Sequence, residues 1–422
     1  MEAIANIKDY VLDTARRARR AALKLSRIDT ATKNNALRFM IQLLQNRADE
    51  IKEKNQIDLQ NGKKAGLSSA MLDRLELNDK RIAGMIEALE TLIELEDPSG
   101  RVDREWKRPN GMTIKKLRVP IGVIGIIYES RPNVTVDAAS LCLKTGNATI
   151  LRGGKEALHS NKVLTDLFRE ALMQAGIPQD AIQLIETIDR EAVSVLLKQH
   201  ETIDLIIPRG GEGLIRHVVE NSTIPVIKHY KGVCHLYADK ELDENMAERV
   251  IINAKVQRPG VCNALETLLV HQDLKDTFLP RICSALHSHG VEIHGDAITC
   301  KKDPQALLAT EEDWYAEYLD LILAVRVVKN LDEALDHIET YGSRHSDGIL
   351  TTNPQTADTF LMAVDSAAVF HNVSTRFTDG GQFGMGAEIG VSTDKLHARG
   401  PMGLEELTSY KYVVTGSGQI RE

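Results

Sequence analysis

The sequence predicts an α/β protein of two doubly wound domains, each on its own parallel sheet, with a small β-flap. Three observations carry this. From Ile121 onward, short apolar runs alternate with helical stretches through turns that contain glycine, the pattern of parallel strands joined by crossover helices. A second alternating series begins near Val233. Ahead of both, Pro109-Asn110-Gly111 lies between two extended stretches, and Asn-Gly in that setting is a strong hairpin signal.

Along the chain, residues 1–95 read as helices. Leu37, Met40, Ile41 and Leu44 recur at helical spacing, as do Ile82, Met85, Ile86 and Leu89. "EDPSGRVD" ends that period with Pro98 and Gly100. The hairpin candidate over 101–118 reads equally as a surface flap or as a limb that pairs with another subunit. Then come the buried strand "IGVIGII", the helix "VDAASLCLKTGN", the strand "ATIL", a helix over 160–174, the strand "IQLIE", a helix around 190–198, the strand "IDLIIP", a helix from Glu212 and the strand "IPVIK". The second series runs "CHLYAD", a helix over 243–255, "ALETLLVH", a helix over 274–289, "VEIHGD", "LAVRVVK", a helix over 331–341 and "DGILTT". The tail adds the strand "SYKYVVTG".

The length of 422 residues allows two or three domains with ample cores. Apolar content of 43% and charged content of 27% suit a soluble globular chain, and 4% aromatics make its cores aliphatic. A formal charge of −8 argues against nucleic acid as the main partner. No apolar run reaches the roughly 18 residues of a membrane span. The start, "MEAIANIKDYVLDTARRARR", lacks a secretory apolar centre, and Glu2, Asp9 and Asp13 do not suit an organelle-targeting peptide. Five cysteines at positions 142, 234, 262, 283 and 300, odd in number and widely spaced, give neither a disulfide framework nor a zinc site. The "HSHGVEIH" histidines have no metal-site spacing either. A cytoplasmic protein without metal is expected.

Two loops suit a nucleotide, since ligands of doubly wound sheets sit at the carboxyl ends of strands. "IIPRGGEGLI" joins a strand to a helix through Gly210, Gly211 and Gly213. Glycines admit a phosphate close to backbone, and a helix start offers free N–H groups. A tight turn with no ligand explains the same residues. The strand "ATIL" ends in Arg152-Gly153-Gly154-Lys155. Dinucleotide folds place an acid near this point for the ribose of NAD, and a cation for the added phosphate of NADP. Two cations here favour NADPH.

Cys262 follows Arg258-Pro259-Gly260-Val261 and stands at the threshold of the apolar run from Ala264. A structural thiol belongs inside such a run. A thiol on a constrained loop with a cation nearby has the setting of a nucleophile. The other four cysteines read as structural: Cys142 on an apolar helix face, Cys234 at a strand start, Cys283 mid-helix and Cys300 beside two lysines.

Four separated stretches, "VPIGVIGIIYESRPNVTVDAASLCLKTGNATILRGGKEA", "RPGVCNALETLLVH", "EYLDLILAVRVV" and "GPMGLEELTSYKYVVTG", together resemble the γ-glutamyl phosphate reductase family of the aldehyde dehydrogenase superfamily, in that family's order. The resemblance implies an aldehyde dehydrogenase-like fold. Residues 1–100 and 119–230 would form the nucleotide-binding domain, 231–400 the catalytic domain, and 101–118 with 401–422 a flap for homo-oligomerisation. It implies NADPH-dependent reduction of L-glutamyl 5-phosphate to L-glutamate 5-semialdehyde with loss of phosphate, a step of proline biosynthesis. Cys262 then aligns with the superfamily nucleophile and would form a thioester. Asn133 aligns, after the first strand of the sheet, with an asparagine that binds the oxyanion, although a helix N-cap explains it as well. Glu317 aligns with the carboxylate that holds the nicotinamide ribose.

The family comparison also marks a departure. Hydrolysing members carry a water-activating glutamate in a Glu-Leu-Gly-Gly stretch; here "HYKG" stands there, with His229 in the glutamate's place and Gly232 kept. His229 reads as a structural ring, a proton donor or a phosphate contact. A reductase gains from having no such carboxylate. A dehydrogenase yielding a free acid, and a non-catalytic oligomeric scaffold, are the rival readings. Arg131, Arg209, Arg258 and Lys231 are loop cations suited to the substrate's anionic groups, with Arg258 and Arg131 foremost. Ser392 and Thr393 are further candidates, in a glycine-rich stretch expected to fold over the catalytic mouth. Association with glutamate 5-kinase is chemically reasonable, because acyl phosphates hydrolyse.

Overall fold

The computed structural model describes residues 6–421; Glu2, weighed above against a targeting peptide, lies outside them. The chain divides into two compact units. One comprises 1–228, 384–390 and 402–422, the other 229–383 and 391–401. The stretch 384–390, expected with the catalytic domain, thus belongs to the first unit.

In the first unit, helices α1 (Ile7–Leu25), α2 (Thr30–Asn46), α3 (Ala48–Lys64), α4 (Ser69–Leu75) and α5 (Asp79–Glu94) precede the hairpin β1 (Val102–Lys107) and β2 (Thr113–Pro120). Asn6, Asp29, Ser68 and Asn78 accept backbone N–H groups at the starts of α1, α2, α4 and α5, which explains why those helices begin there. The winding continues through β3 (Val123–Tyr128), α6 (Asn133–Lys144), β4 (Ala148–Arg152), α7 (Leu158–Gln174), β5 (Ile182–Leu184), α8 (Glu191–Leu196), β6 (Leu205–Arg209) and α9 (Glu212–Asn221). These four strands form a parallel sheet in the order β5-β4-β3-β6. Ala15, Ala18 and Ala22 of α1 pack on Val123, Ile127, Ala148 and Ile150 of that sheet; their small side chains bring the helix close.

"IPVIK" is not a full strand. It makes one isolated parallel bridge, Ile206 with Val226. Pro225 accepts from the Ile206 N–H at 2.9 Å but has no N–H of its own to extend a ladder.

In the second unit, β7 (Cys234–Ala238), α10 (Glu244–Val256), β8 (Leu265–His271), α11 (Phe278–Ser288), β9 (Glu292–Gly295), α12 (Ala297–Lys302), β10 (Leu307–Leu308), α13 (Glu311–Trp314), β11 (Ile322–Val328), α14 (Leu331–Tyr341), β12 (Ser346–Leu350), α15 (Pro354–Ala363) and β13 (Ala368–His371) follow in turn. Its seven strands run parallel in the order β10-β9-β11-β8-β7-β12-β13. Leu236, Leu268, Val270 and Val325 from central strands pack on Ile251, Phe278, Ile282 and Leu286 from α10 and α11. The sequence reading missed β13 at one edge, where only Ala368 is buried. Among the described residues, no helix is long and apolar enough to cross a membrane.

Candidate active site

The residues around Cys262 gather at the amino ends of the second sheet's strands. Cys262 lies on the loop between α10 and β8, Gly232 directly before β7, and Glu317 on the segment leading into β11. The expectation of a site at strand carboxyl ends therefore does not hold for this sheet. Here the long connections enter the strands, and they carry the reactive side chains.

Cys262 is partly exposed, whereas Cys142, Cys234 and Cys283 are buried. Burial pushes the thiols of Cys142 and Cys283 up to about 12, holds that of Cys234 well above its ordinary value, and raises Cys300 as well; none of the four is poised to ionise. The Cys262 carbonyl accepts the Cys234 thiol at 3.2 Å. No described residue accepts from the Cys262 N–H, which leaves that donor for a ligand oxygen.

Gly232 lies against this loop. A Cβ there would stand 1.9 Å from the Cys262 carbonyl oxygen and 2.6 Å from its Cα. The Gly232 N–H donates to Glu317 Oε1 at 2.9 Å. One glycine thus touches the cysteine backbone and fixes the glutamate. His229 stacks edge-on against His345, with ring centroids 5.7 Å apart.

Beneath the loop, Lys255 at the end of α10 donates to Glu266 in β8 at 2.8 Å, with both side chains fully buried. Burial raises the Glu266 carboxyl to about 7 and lowers the Lys255 ammonium. Glu266 also accepts the Leu319 N–H at 3.3 Å. The pair therefore ties the segments that carry Cys262 and Glu317. On its other side the loop is held by residues 374–378. Thr375 Oγ1 donates to the Asn263 carbonyl at 2.8 Å, and Asn263 Nδ2 to the Thr378 carbonyl at 2.8 Å. Arg376 donates Nε to Gln257 Oε1 at 2.9 Å and Nη1 to Asn263 Oδ1. Sequence reasoning missed Arg376: "HNVSTRFTDGG" shows neither helical period nor a glycine turn ahead of it, and only the unrecognised β13 places it after a strand.

In the first unit the cofactor candidates do lie at carboxyl strand ends. Gly210 and Gly211 follow β6, and α9 starts at Glu212 without a side-chain cap. A Cβ at Gly211 or Gly213 would meet nothing within 4 Å, so this turn is open. Gly210 is needed for packing, since its Cβ would stand 2.3 Å from Glu129 Oε2, which also accepts the Gly211 N–H at 3.0 Å. At the end of β4, Lys155 is exposed. Arg152 instead turns inward, donating to the carbonyls of Gly153 and Ile188, and its buried Nε has no partner among the described residues. Gly153 and Gly154 make room for Asn161 and Glu156. An open glycine turn and an exposed lysine, both at strand ends, suit a dinucleotide.

Asn133 is the first residue of α6, not its cap; the cap position is Pro132. Its Nδ2 donates to Asp137 Oδ2 at 2.8 Å. Burial, opposed by that bond and by Arg209, raises the Asp137 carboxyl to about 6. Ahead of the helix, Ser130 adopts φ 43°, in the left-handed region, and its N–H and Oγ donate to Glu156 Oε1 at 2.7 and 2.8 Å. This strained turn presents the exposed Arg131. Arg258 is likewise exposed, next to the cysteine loop. Ser392 is fully buried and its hydroxyl accepts the Asp394 N–H at 3.1 Å, so Thr393, partly exposed, is the better placed of that pair.

A partly exposed cysteine at the entry to a central parallel strand, and an open glycine turn on the other parallel sheet, suit an oxidoreductase that uses a nicotinamide cofactor. The aldehyde dehydrogenase family profile matches residues 4–299. The chain is 57% identical over 417 residues to a γ-glutamyl phosphate reductase of Moorella thermoacetica, covering 99% of this chain and all of that one. The crystal structure of the γ-glutamyl phosphate reductase of Thermotoga maritima superposes with a TM-score of 0.96 at 50% identity, over 98% of this chain and all of that one. An engineered glycolyl-CoA reductase with bound NADP+ shares the fold at a TM-score of 0.68 and 14% identity, over 96% of each chain. The chain belongs to the aldehyde dehydrogenase family and, within it, to the γ-glutamyl phosphate reductases.

Proposed function

We propose that the protein reduces L-glutamyl 5-phosphate to L-glutamate 5-semialdehyde, with release of phosphate, through a thioester on Cys262. The observation that carries this reading is the Cys262 loop: a partly exposed thiol whose own N–H is open to a ligand, on a backbone packed against Gly232. The thiolate attacks the acyl carbon, a C–S bond forms, and the C–O bond to phosphate breaks with its electron pair on the leaving oxygen. Negative charge on the carbonyl oxygen is met by the Cys262 N–H. "HYKG" carries no carboxylate to activate water, and the His229 ring is stacked on His345; both favour survival of the thioester.

NADPH, when bound, supplies the hydride that takes the thioester to the aldehyde. Lys155 would hold its added phosphate, the turn at Gly211 and Gly213 its pyrophosphate, and Glu317 its nicotinamide ribose. Arg152 braces the strand end. Arg258, Arg131 and Thr393 serve the substrate's anionic groups. The enzyme works in the cytoplasm as a homo-oligomer assembled through the flap.

Cys262→Ser tests the reading. Turnover of glutamyl phosphate should fall by about a thousandfold or more, while melting stays within about 3 °C of wild type. Near-normal turnover by that variant would exclude the covalent route.

A further inference from the structure

The phosphate released in this reaction needs its own recognition, and the structure holds a cation already oriented for it. Arg376 sits on the short turn Thr375–Phe377 after β13. Two of its donors are committed: Nε to Gln257 and Nη1 to Asn263, residues on either side of Arg258 and Cys262 in the same loop. Asn263 is itself 6% exposed and held by Thr378. The plane of the guanidinium is therefore fixed relative to the residue that follows the nucleophile. Its third nitrogen, Nη2, makes no hydrogen bond to any described residue, and it is not among the buried polar atoms left without a partner. It is free to meet a ligand.

The charges around it point the same way. Burial first, and then the neighbouring Arg258 guanidinium, hold the Arg376 guanidinium below its ordinary pKa, while Asp379 and Cys262 oppose them. Two neighbouring guanidiniums repel each other, and an anion between them relieves that repulsion. A planar guanidinium with a free edge matches a phosphate oxygen pair better than an ammonium does.

We infer that Arg376 binds the departing phosphate of the acyl-phosphate substrate, with its free Nη2 edge directed to the phosphate oxygens. This deepens the thioester reading proposed above and rests on it. As the C–O bond breaks, the electron pair and the growing negative charge pass to the phosphate oxygen, where a fixed cation lowers the barrier. In reverse, the same contact holds inorganic phosphate for attack on the thioester carbon, and thiolate leaves. No redox change accompanies either step.

The reverse direction separates this role from simple support of the loop. Wild type, Arg376→Lys and Arg376→Gln are mixed with glutamate 5-semialdehyde and NADP+, first without phosphate and then across a range of inorganic phosphate. A stopped-flow burst of NADPH without phosphate reports formation of the thioester alone; steady turnover reports its phosphorolysis. In Arg376→Gln the KM for phosphate should rise about tenfold or more, with a smaller rise in Arg376→Lys, while the burst slows by about threefold at most. An unchanged KM for phosphate in both variants overturns the proposal. So does a burst that falls in parallel with turnover, because Arg376 would then only hold the loop. A wild-type enzyme with no phosphate-independent burst would overturn the thioester itself, and the proposal with it.

Discussion

At the scale of single residues, Gly232 makes the sharpest demand. It has to be a glycine because the Cys262 backbone occupies the space of any Cβ, and its N–H donates to Glu317. Gly232→Ala must therefore push the cysteine loop away or release the glutamate. The expected result is a drop in kcat/KM of about tenfold or more, with a loss of about 1–3 kcal/mol in stability. Steady-state kinetics and denaturant melts check it; wild-type kinetics would mean the loop yields at no cost. Cys262 was legible in the sequence because a thiol at the threshold of an apolar run is out of place as core. Gly232 was legible only as a retained glycine, since its reason is a contact with a residue thirty positions away in the chain. Arg376 was not legible: its role comes from hydrogen bonds to Gln257 and Asn263, and no spacing rule connects those positions. Ser392 misled because a hydroxyl in a polar, glycine-rich stretch gives no sign that the backbone will bury it.

At the scale of elements, the segment that delivers Glu317 is anchored through Asp313. Thr310 and Asp313 form a capping box at the start of α13. Asp313 also accepts from Tyr318 Oη at 2.8 Å and pairs with His294 of β9 at 2.6 Å. Partial burial would raise the Asp313 carboxyl, but the bonds from Thr310, Tyr318 and His294 outweigh it and hold the group down to about 2. Burial likewise pulls His294 down, yet its bonds to Glu292 and Asp313 hold it above the ordinary 6.5. The sign follows for each group. The Asp313 contribution is present above 3.8 and is lost only as pH falls through about 2. The His294 contribution is complete below 6.5 and is lost as pH rises through the raised value. His294→Gln should therefore lower the melting temperature most on the acid side, with the gap to wild type closing as pH rises. Thermal melts from about pH 5 to about pH 9 follow this; a gap constant across that range would remove the histidine's charge from the account. The sequence showed β9 and β11 by their apolar runs, but α13 is a single turn, too short for any periodic signal, and its anchoring role went unread.

At the scale of the whole molecule, strand order and unit composition were beyond the sequence, because they depend on which distant segments pair. The tail is the clearest case. The strand Thr408–Thr415 joins β2 antiparallel, from Thr408 opposite Pro120 to Thr415 opposite Thr113, so a three-stranded sheet forms with β1 at its other edge. The Asn-Gly hairpin was readable from local turn chemistry; its union with the tail came only from the family resemblance. This small sheet leaves a row of large apolar side chains exposed. Tyr410 is 50%, Tyr412 58% and Val414 54% accessible, and they alternate along the strand, which puts them on one face. Trp106 meets Tyr412 edge-on at 6.1 Å, and Lys116 lies over the Tyr410 ring at 3.9 Å. Three strands without a covering layer bury too little apolar surface to favour solvent exposure of such a row. Under the proposed homo-oligomer, this face and the open edges of the sheet meet another copy. A Tyr412→Glu, Val414→Glu double variant places two like charges in that contact and should shift the solution mass by light scattering toward the 46.8 kDa of one chain. Circular dichroism and melting of the first unit should change little, because both residues project away from its core. If the mass of the double variant equals that of wild type at every concentration, assembly does not run through this face.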